Sequence, residues 1–167
     1  MFIARIVRGC GFAIVLSGLV IASTVSTAAA PSAKTPKMLE FDTMVALPQA
    51  FTGTQAPIRG INGGGLPWAI DQARGELDVN GKLEVQVRGL VLAAGANAGI
   101  NPLATFRAVV SCLADDRSTQ NLSTLPFAAT SSGDADIEAF VTLPRPCIAP
   151  IVFVTSAGGA WLATTGH

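Results

Sequence analysis

The chain has 167 residues, of which half are hydrophobic and 13% charged, and its formal net charge is zero. That composition excludes a disordered polyelectrolyte and offers no basic field for nucleic acid. With one histidine, His167 at the last position, and no tyrosine, a Ser-His or Cys-His nucleophile has no base, and His-built zinc sites have no ligands.

Residues 1–30 read as a secretory leader. Arg5 and Arg8 supply its positive segment, Gly11–Ala22 its apolar segment and STVSTAAA its small-residue flank. Ser26 and Ala28 fit the small-residue pockets of signal peptidase, so residues 1–28 are expected to be a signal peptide. Left uncleaved, the uncharged run Gly9–Ala30 is long enough to anchor in a bilayer, and a membrane is an expected partner only in that case. Either way the chain is expected to be secreted or held at the exterior of the cell envelope. Removing Arg5 and Arg8 leaves nine basic side chains against eleven acidic ones, a mildly acidic mature chain.

Export decides the cysteine arithmetic. Cys10 leaves with the leader, and Cys112 and Cys147 are expected to form a disulfide. The pair lacks the C-x-x-C spacing and the nearby histidine that a redox or metal pair would use.

Residues 29–37 form a polar, proline-punctuated lead-in, and residues 38–167 a single β domain. Met38–Leu47 reads as a first strand with Leu39, Phe41, Thr43 and Val45 on one face. Pro48–Ile61 is irregular, and Asn62-Gly63-Gly64-Gly65 is a flexible loop ahead of Trp68. Ala73–Leu92 is a hairpin about Asn80-Gly81. A three-residue loop, Val79-Asn80-Gly81, sets Leu77 against Leu83, Gly75 against Val85 and Ala73 against Val87, with Asp78 meeting Lys82 on the other side. The alternative two-residue loop slips the register by one and mixes Leu77 with charges, so the first register is expected. It places Gly81 in the left-handed region as a bulge.

Val91–Asn101 reads as a loop of small residues. Thr105–Leu113 is the central strand, with Phe106, Ala108, Val110 and Cys112 alternating onto one face. Ala114–Gln120 is a charged turn, and Leu122–Ala128 a short strand that Pro126 keeps near an edge. Ala135–Leu143 alternates again, with Ala135, Ile137, Ala139, Val141 and Leu143 inward. Ile151–Ser156 and Ala160–Thr164 form a last hairpin about Gly158-Gly159. No stretch carries a helical period. Seven or eight short strands and one disulfide predict an all-β domain, an antiparallel β-sandwich or barrel.

Asp134, Asp136 and Glu138 share one face of a strand, as solvated charges do, whereas a calcium loop or a glycosidase pair needs carboxylates that converge. Asp115-Asp116 is the nearest addition to a calcium set. The glycine loop Gly60–Gly65 is followed by neither Lys-Ser/Thr nor a helix, so it is not a phosphate loop. Asn121-Leu122-Ser123 matches a glycosylation sequon. Trp68 and Trp161 are the candidate ligand contacts, since an exposed indole stacks on a sugar ring, and Arg59 and Arg88 are candidates to line such a site.

The runs LPWAIDQARGELDVNGKLEVQVRGLVL, NPLATFRAVVSCL and GDADIEAFVTLPRPCIAPIVFVTSAGGAWLATTG resemble a group of uncharacterised exported bacterial proteins of about this length. That resemblance implies export and no particular activity. ARGELDVNGKLEVQVRGL and the closing hairpin are also similar to the chordin-type repeat domain, whose pattern continues into a His-x-His segment that this chain lacks. The expected protein is an exported, non-catalytic β-module with no metal and no cofactor, structural or binding in role. The alternatives are a carbohydrate-binding module using Trp68 and Trp161, and a carboxylate-dependent hydrolase using Asp134, Asp136 or Asp71.

Overall fold

A computed structural model describes residues 34–166 of the chain. The leader, its cleavage point, Cys10 and His167 lie outside the described residues. Between 34 and 166 the chain is all β, and its sheets form an open sandwich rather than a closed barrel. Eight strands have four residues or more: β1 (Lys37–Phe41), β4 (Gln72–Asp78), β5 (Lys82–Arg88), β7 (Thr105–Leu113), β8 (Thr119–Ser123), β10 (Ala135–Phe140), β11 (Ile148–Ser156) and β12 (Trp161–Thr164). Four more have only two: β2 (Val45–Ala46), β3 (Trp68–Ala69), β6 (Val91–Leu92) and β9 (Phe127–Ala128). Two residues are too few to show an alternation of their own, which is why β2 and β9 read from sequence as parts of longer strands and β3 does not read as a strand at all.

The strands assemble into a four-stranded sheet, β1-β4-β5-β10, and a larger sheet, β2-β12-β11-β7-β8, with β9 also paired to β7. β3 and β6 make a two-stranded ribbon. Leu77, Leu83, Val85 and Val87 from the first sheet share one core with Phe106, Ala108, Val110, Val152 and Val154 from the second.

The β4–β5 hairpin has the register that its apolar alternation demands: Ala73 pairs with Val87, Gly75 with Val85 and Leu77 with Leu83. Gly81 sits at φ +89°, in the left-handed region. Asp78 and Lys82 do not pair through their side chains. Asp78 Oδ1 instead accepts the backbone N–H groups of Asn80 and Lys82, at 2.8 and 2.9 Å, and so caps the turn. The Lys82 amine turns outward to Glu84 and Glu138.

The disulfide joins Cys112 on β7 to Cys147 just ahead of β11, with Cα atoms 4.9 Å apart. It lies where the β7–β11 register shifts, between Ile148 and Ile151.

Three expectations are corrected. Met38–Leu47 is not one strand: β1 pairs with β4 and β2 with β12, so the chain changes sheets at Asp42-Thr43-Met44. Crossing between sheets resets the alternation, which buries Met44 and Leu47 and leaves Val45 47% exposed. Leu122–Ala128 is likewise two pieces, β8 and β9, both paired to β7. Between them the Thr124 hydroxyl takes the Ala108 N–H at 3.1 Å, and the Thr124 N–H bonds the Ala108 carbonyl at 2.9 Å. The strand read over Ala135–Leu143 ends early, since β10 stops at Phe140, where the Val141 N–H bonds back to the Gly81 carbonyl, but its inward series continues, with Val141 buried and Leu143 packed against the core.

The second face of β7 carries Thr105, Arg107, Val109 and Ser111, and both Val109 and Ser111 are buried. Residues 48–66, here called the strap, cover them. Phe51 on the strap meets Trp161 edge-on, with ring centroids 6.2 Å apart, and Phe153 lies on the other side of Trp161 at 6.4 Å. The centre of the larger sheet is therefore buried on both faces.

Candidate functional site

The structure separates the two tryptophans. Trp161 is 1% exposed, on the outer face of the larger sheet, under the strap. Trp68 is 7% exposed, on the inner side, where its ring meets Phe106 edge-on at 6.3 Å. Neither presents an indole face on which a sugar could stack, and the two do not form a common platform. Aromatic neighbours on both sides claim Trp161, and no sequence signal in the irregular strap foretells its cover.

Trp68 does line an open apolar groove, of about 340 Å³, at one end of the sandwich. Leu66 and Gly65 form one wall, Leu92 and Leu103 another, and Ala160 and Leu162 a third. The β3–β6 ribbon sets Trp68 against Leu92, and the Trp68 N–H anchors on the Leu47 carbonyl at 2.8 Å. Asn101 holds the opposite wall. It is buried, it donates to the carbonyls of Leu103 and Thr130 at 2.8 Å, and it accepts the Leu103 N–H at 2.9 Å. No charged side chain lines the groove. Its one hydroxyl, on Ser156, is occupied by the Ala160 N–H. Such walls suit an uncharged, apolar group, because an ion placed there would lose water without gaining a partner.

A second hollow, of about 630 Å³, lies on the solvent side of the four-stranded sheet. Glu40, Glu76, Glu84 and Glu138 stand directly opposite one another there, in one row across all four strands. Two lysines offset the row: Lys37 bridges Glu40 and Glu76, and Lys82 bridges Glu84 and Glu138. Hydrogen bonds to these carboxylates raise both ammonium pKa values, led by Glu40 for Lys37 and by Glu84 for Lys82. Among the described residues no three His, Cys, Asp or Glu side chains are grouped to hold a metal ion.

The carboxylates named from sequence also have partners. Asp136 pairs with Arg88, whose Nη2 lies 2.8 Å from Asp136 Oδ1. Asp134 Oδ1 accepts the Gly89 N–H at 3.0 Å, and its Oδ2 accepts the Ser132 hydroxyl at 2.9 Å. Those bonds, the Gly89 one foremost, hold the Asp134 carboxyl below its ordinary pKa. Asp71 packs against Gly89 from another direction. Asp71 and Asp134 thus meet at one glycine, but a lowered pKa suits Asp134 to accept hydrogen bonds rather than to donate a proton to a leaving group. Asp115-Asp116 stays apart in its turn, where Asp116 caps Ser118 at 2.9 Å.

Arg59, on the strap, donates to the Ser111 and Ala149 carbonyls of β7 and β11 and does not line the groove. No family model, no curated protein and no solved structure matches the chain.

Proposed function

We propose that this chain is an exported, disulfide-closed β-sandwich that holds an uncharged apolar group of a ligand or partner in the Trp68 groove, without catalysing its conversion. The observation that carries the reading is the groove itself: an open, charge-free hollow lined by Leu66, Trp68, Leu92, Leu103 and Leu162. The leader-like first segment and the Cys112–Cys147 bond support a site of action outside the cytoplasm. The partners already held by Asp134, Asp136 and Glu138 support a role without acid–base chemistry.

Binding is tested with the neutral fluorophore N-phenyl-1-naphthylamine. Leu66 stands 43% exposed on the rim, so Leu66→Glu adds a charge to the groove without disturbing the core. The probe is expected to brighten with the parent protein and to bind the variant at least about tenfold more weakly. No binding to the parent, or equal binding to both, ends this reading. Export is tested separately by intact mass of the protein from its own host. A soluble species beginning at Ala29, with two alkylatable thiols appearing only after reduction, is expected. A full-length mass, or free thiols before reduction, contradicts it.

A further inference from the structure

The strap crosses the outer face of the larger sheet from β12 toward β8. At its β12 end the Gly64 N–H bonds the Trp161 carbonyl at 3.0 Å, and the Trp161 N–H bonds the Asn62 carbonyl at 2.9 Å. At its far end Ile58 and Ile61 exchange both backbone hydrogen bonds, at 3.1 and 2.9 Å, around a two-residue turn, Arg59-Gly60. Both turn residues have positive φ, 50° and 78°, the pattern of a tight hairpin turn.

Arg59 fastens that tip to three strands. Its Nη2 donates to the Ala149 carbonyl at 2.8 Å and its Nη1 to the Ser111 carbonyl at 3.3 Å, while Asn121 Nδ2 donates to the Arg59 carbonyl at 3.0 Å. Two of these acceptors are tied to the disulfide. Ser111 adjoins Cys112, and Ala149 lies two residues past Cys147, inside the register shift of β11. Ala149 also has a positive φ, 46°, which an alanine adopts only at a cost. The latch thus joins two strained, non-glycine residues, one on the strap and one on the stretch the disulfide fixes.

The covered face is not a fully satisfied core. Ser111 Oγ, Trp161 Nε1 and Arg107 Nε are buried on it without hydrogen-bond partners. Covering such atoms is unfavourable, and lifting the strap would return them to water.

We propose that the strap is a latch governed by the Cys112–Cys147 disulfide, closed when the bond is intact and released when it is reduced. A dithiol reductant attacks Cys147, the more exposed of the two half-cystines, and the S–S bond breaks. The dithiol closes to its own cyclic disulfide, and its two electrons and two protons end on Cys112 and Cys147 as thiols. The Ala149 stretch then loses its tether, Arg59 loses the placement of both acceptors, and Phe153 and Trp161 become accessible.

The test is residue-resolved amide hydrogen exchange on the full chain, oxidised or reduced with dithiothreitol. The Gly64 and Trp161 amides are expected to exchange at least about tenfold faster after reduction, while those of the β4–β5 hairpin keep their protection. Arg59→Ala in the oxidised protein is expected to reproduce the acceleration, and to add little once the bond is reduced. Unchanged exchange at Gly64 and Trp161 after complete reduction overturns the proposal. So does loss of protection across the hairpin as well, which would make the disulfide a staple of the whole domain, and so does an Arg59→Ala protein that exchanges like the parent.

Discussion

Truncation of Phe106 to alanine is expected to destabilise the domain by about 3–5 kcal/mol. Phe106 is fully buried on β7, between Phe127 of β9 and Ser156 of β11, and it is the ring against which Trp68 rests. Removing it leaves a cavity between the sheets that close-packed neighbours cannot fill. The same cavity withdraws the support behind the Trp68 groove, so probe binding should weaken together with stability. Urea denaturation measures the first effect, as a lower midpoint at unchanged slope. A loss below about 1 kcal/mol would mean that the core closes over the gap.

Gly81→Ala is the second large effect, expected at about 3 kcal/mol. Two causes act together. Gly81 has φ +89°, which a side chain disfavours, and an added Cβ would fall on the carbonyl oxygen of Val141. That strand end is also where the Val141 N–H bonds the Gly81 carbonyl, at 2.9 Å. The hairpin tip must therefore move away from the end of β10. Gly159 provides the control: its φ is +87°, nearly the same, but nothing lies within 4 Å of the position its Cβ would take. Gly159→Ala should cost only about 1 kcal/mol, the conformational part alone. Thermal or urea unfolding of the two variants separates strain from overlap, and equal losses would show that the contact with Val141 is of no consequence.

The contrast between these glycines reflects what sequence reasoning can reach. The left-handed turn at Gly81 follows from alternation, because only one register puts Ala73, Leu77, Leu83, Val85 and Val87 on a single side. The Cys112–Cys147 pair follows from counting. The overlap with Val141 does not follow, since it depends on where a strand sixty residues away happens to end. The same limit explains the outer face of β7. Alternation puts Arg107 and Ser111 opposite the core face, but it does not show that a strap without any period lies across them. Trp161 is buried for that reason, although its own strand gives no sign of it. The Trp68 groove is built from five separate stretches of chain, each unremarkable alone. Arg59 is visible as a charge near glycines, but its task is set by two carbonyls near the half-cystines, far along the chain.

The pairing of β2 with β12 has a consequence for when the domain takes shape. It places one of the first strands of the domain beside the last one, at the edge of the larger sheet, with Ala46 opposite Ala163. β7 in turn waits for β11, its longest partner. The smaller sheet needs nothing beyond Phe140, but the larger one has no means of closing until the final turns of sequence have emerged. Contacts so distant along the chain form slowly, because the intervening loop must be closed before they are rewarded. A chain that must thread a membrane pore in extended form gains from such an order of events. On the export proposed above, the larger sheet of this chain would be completed only once β12 has passed.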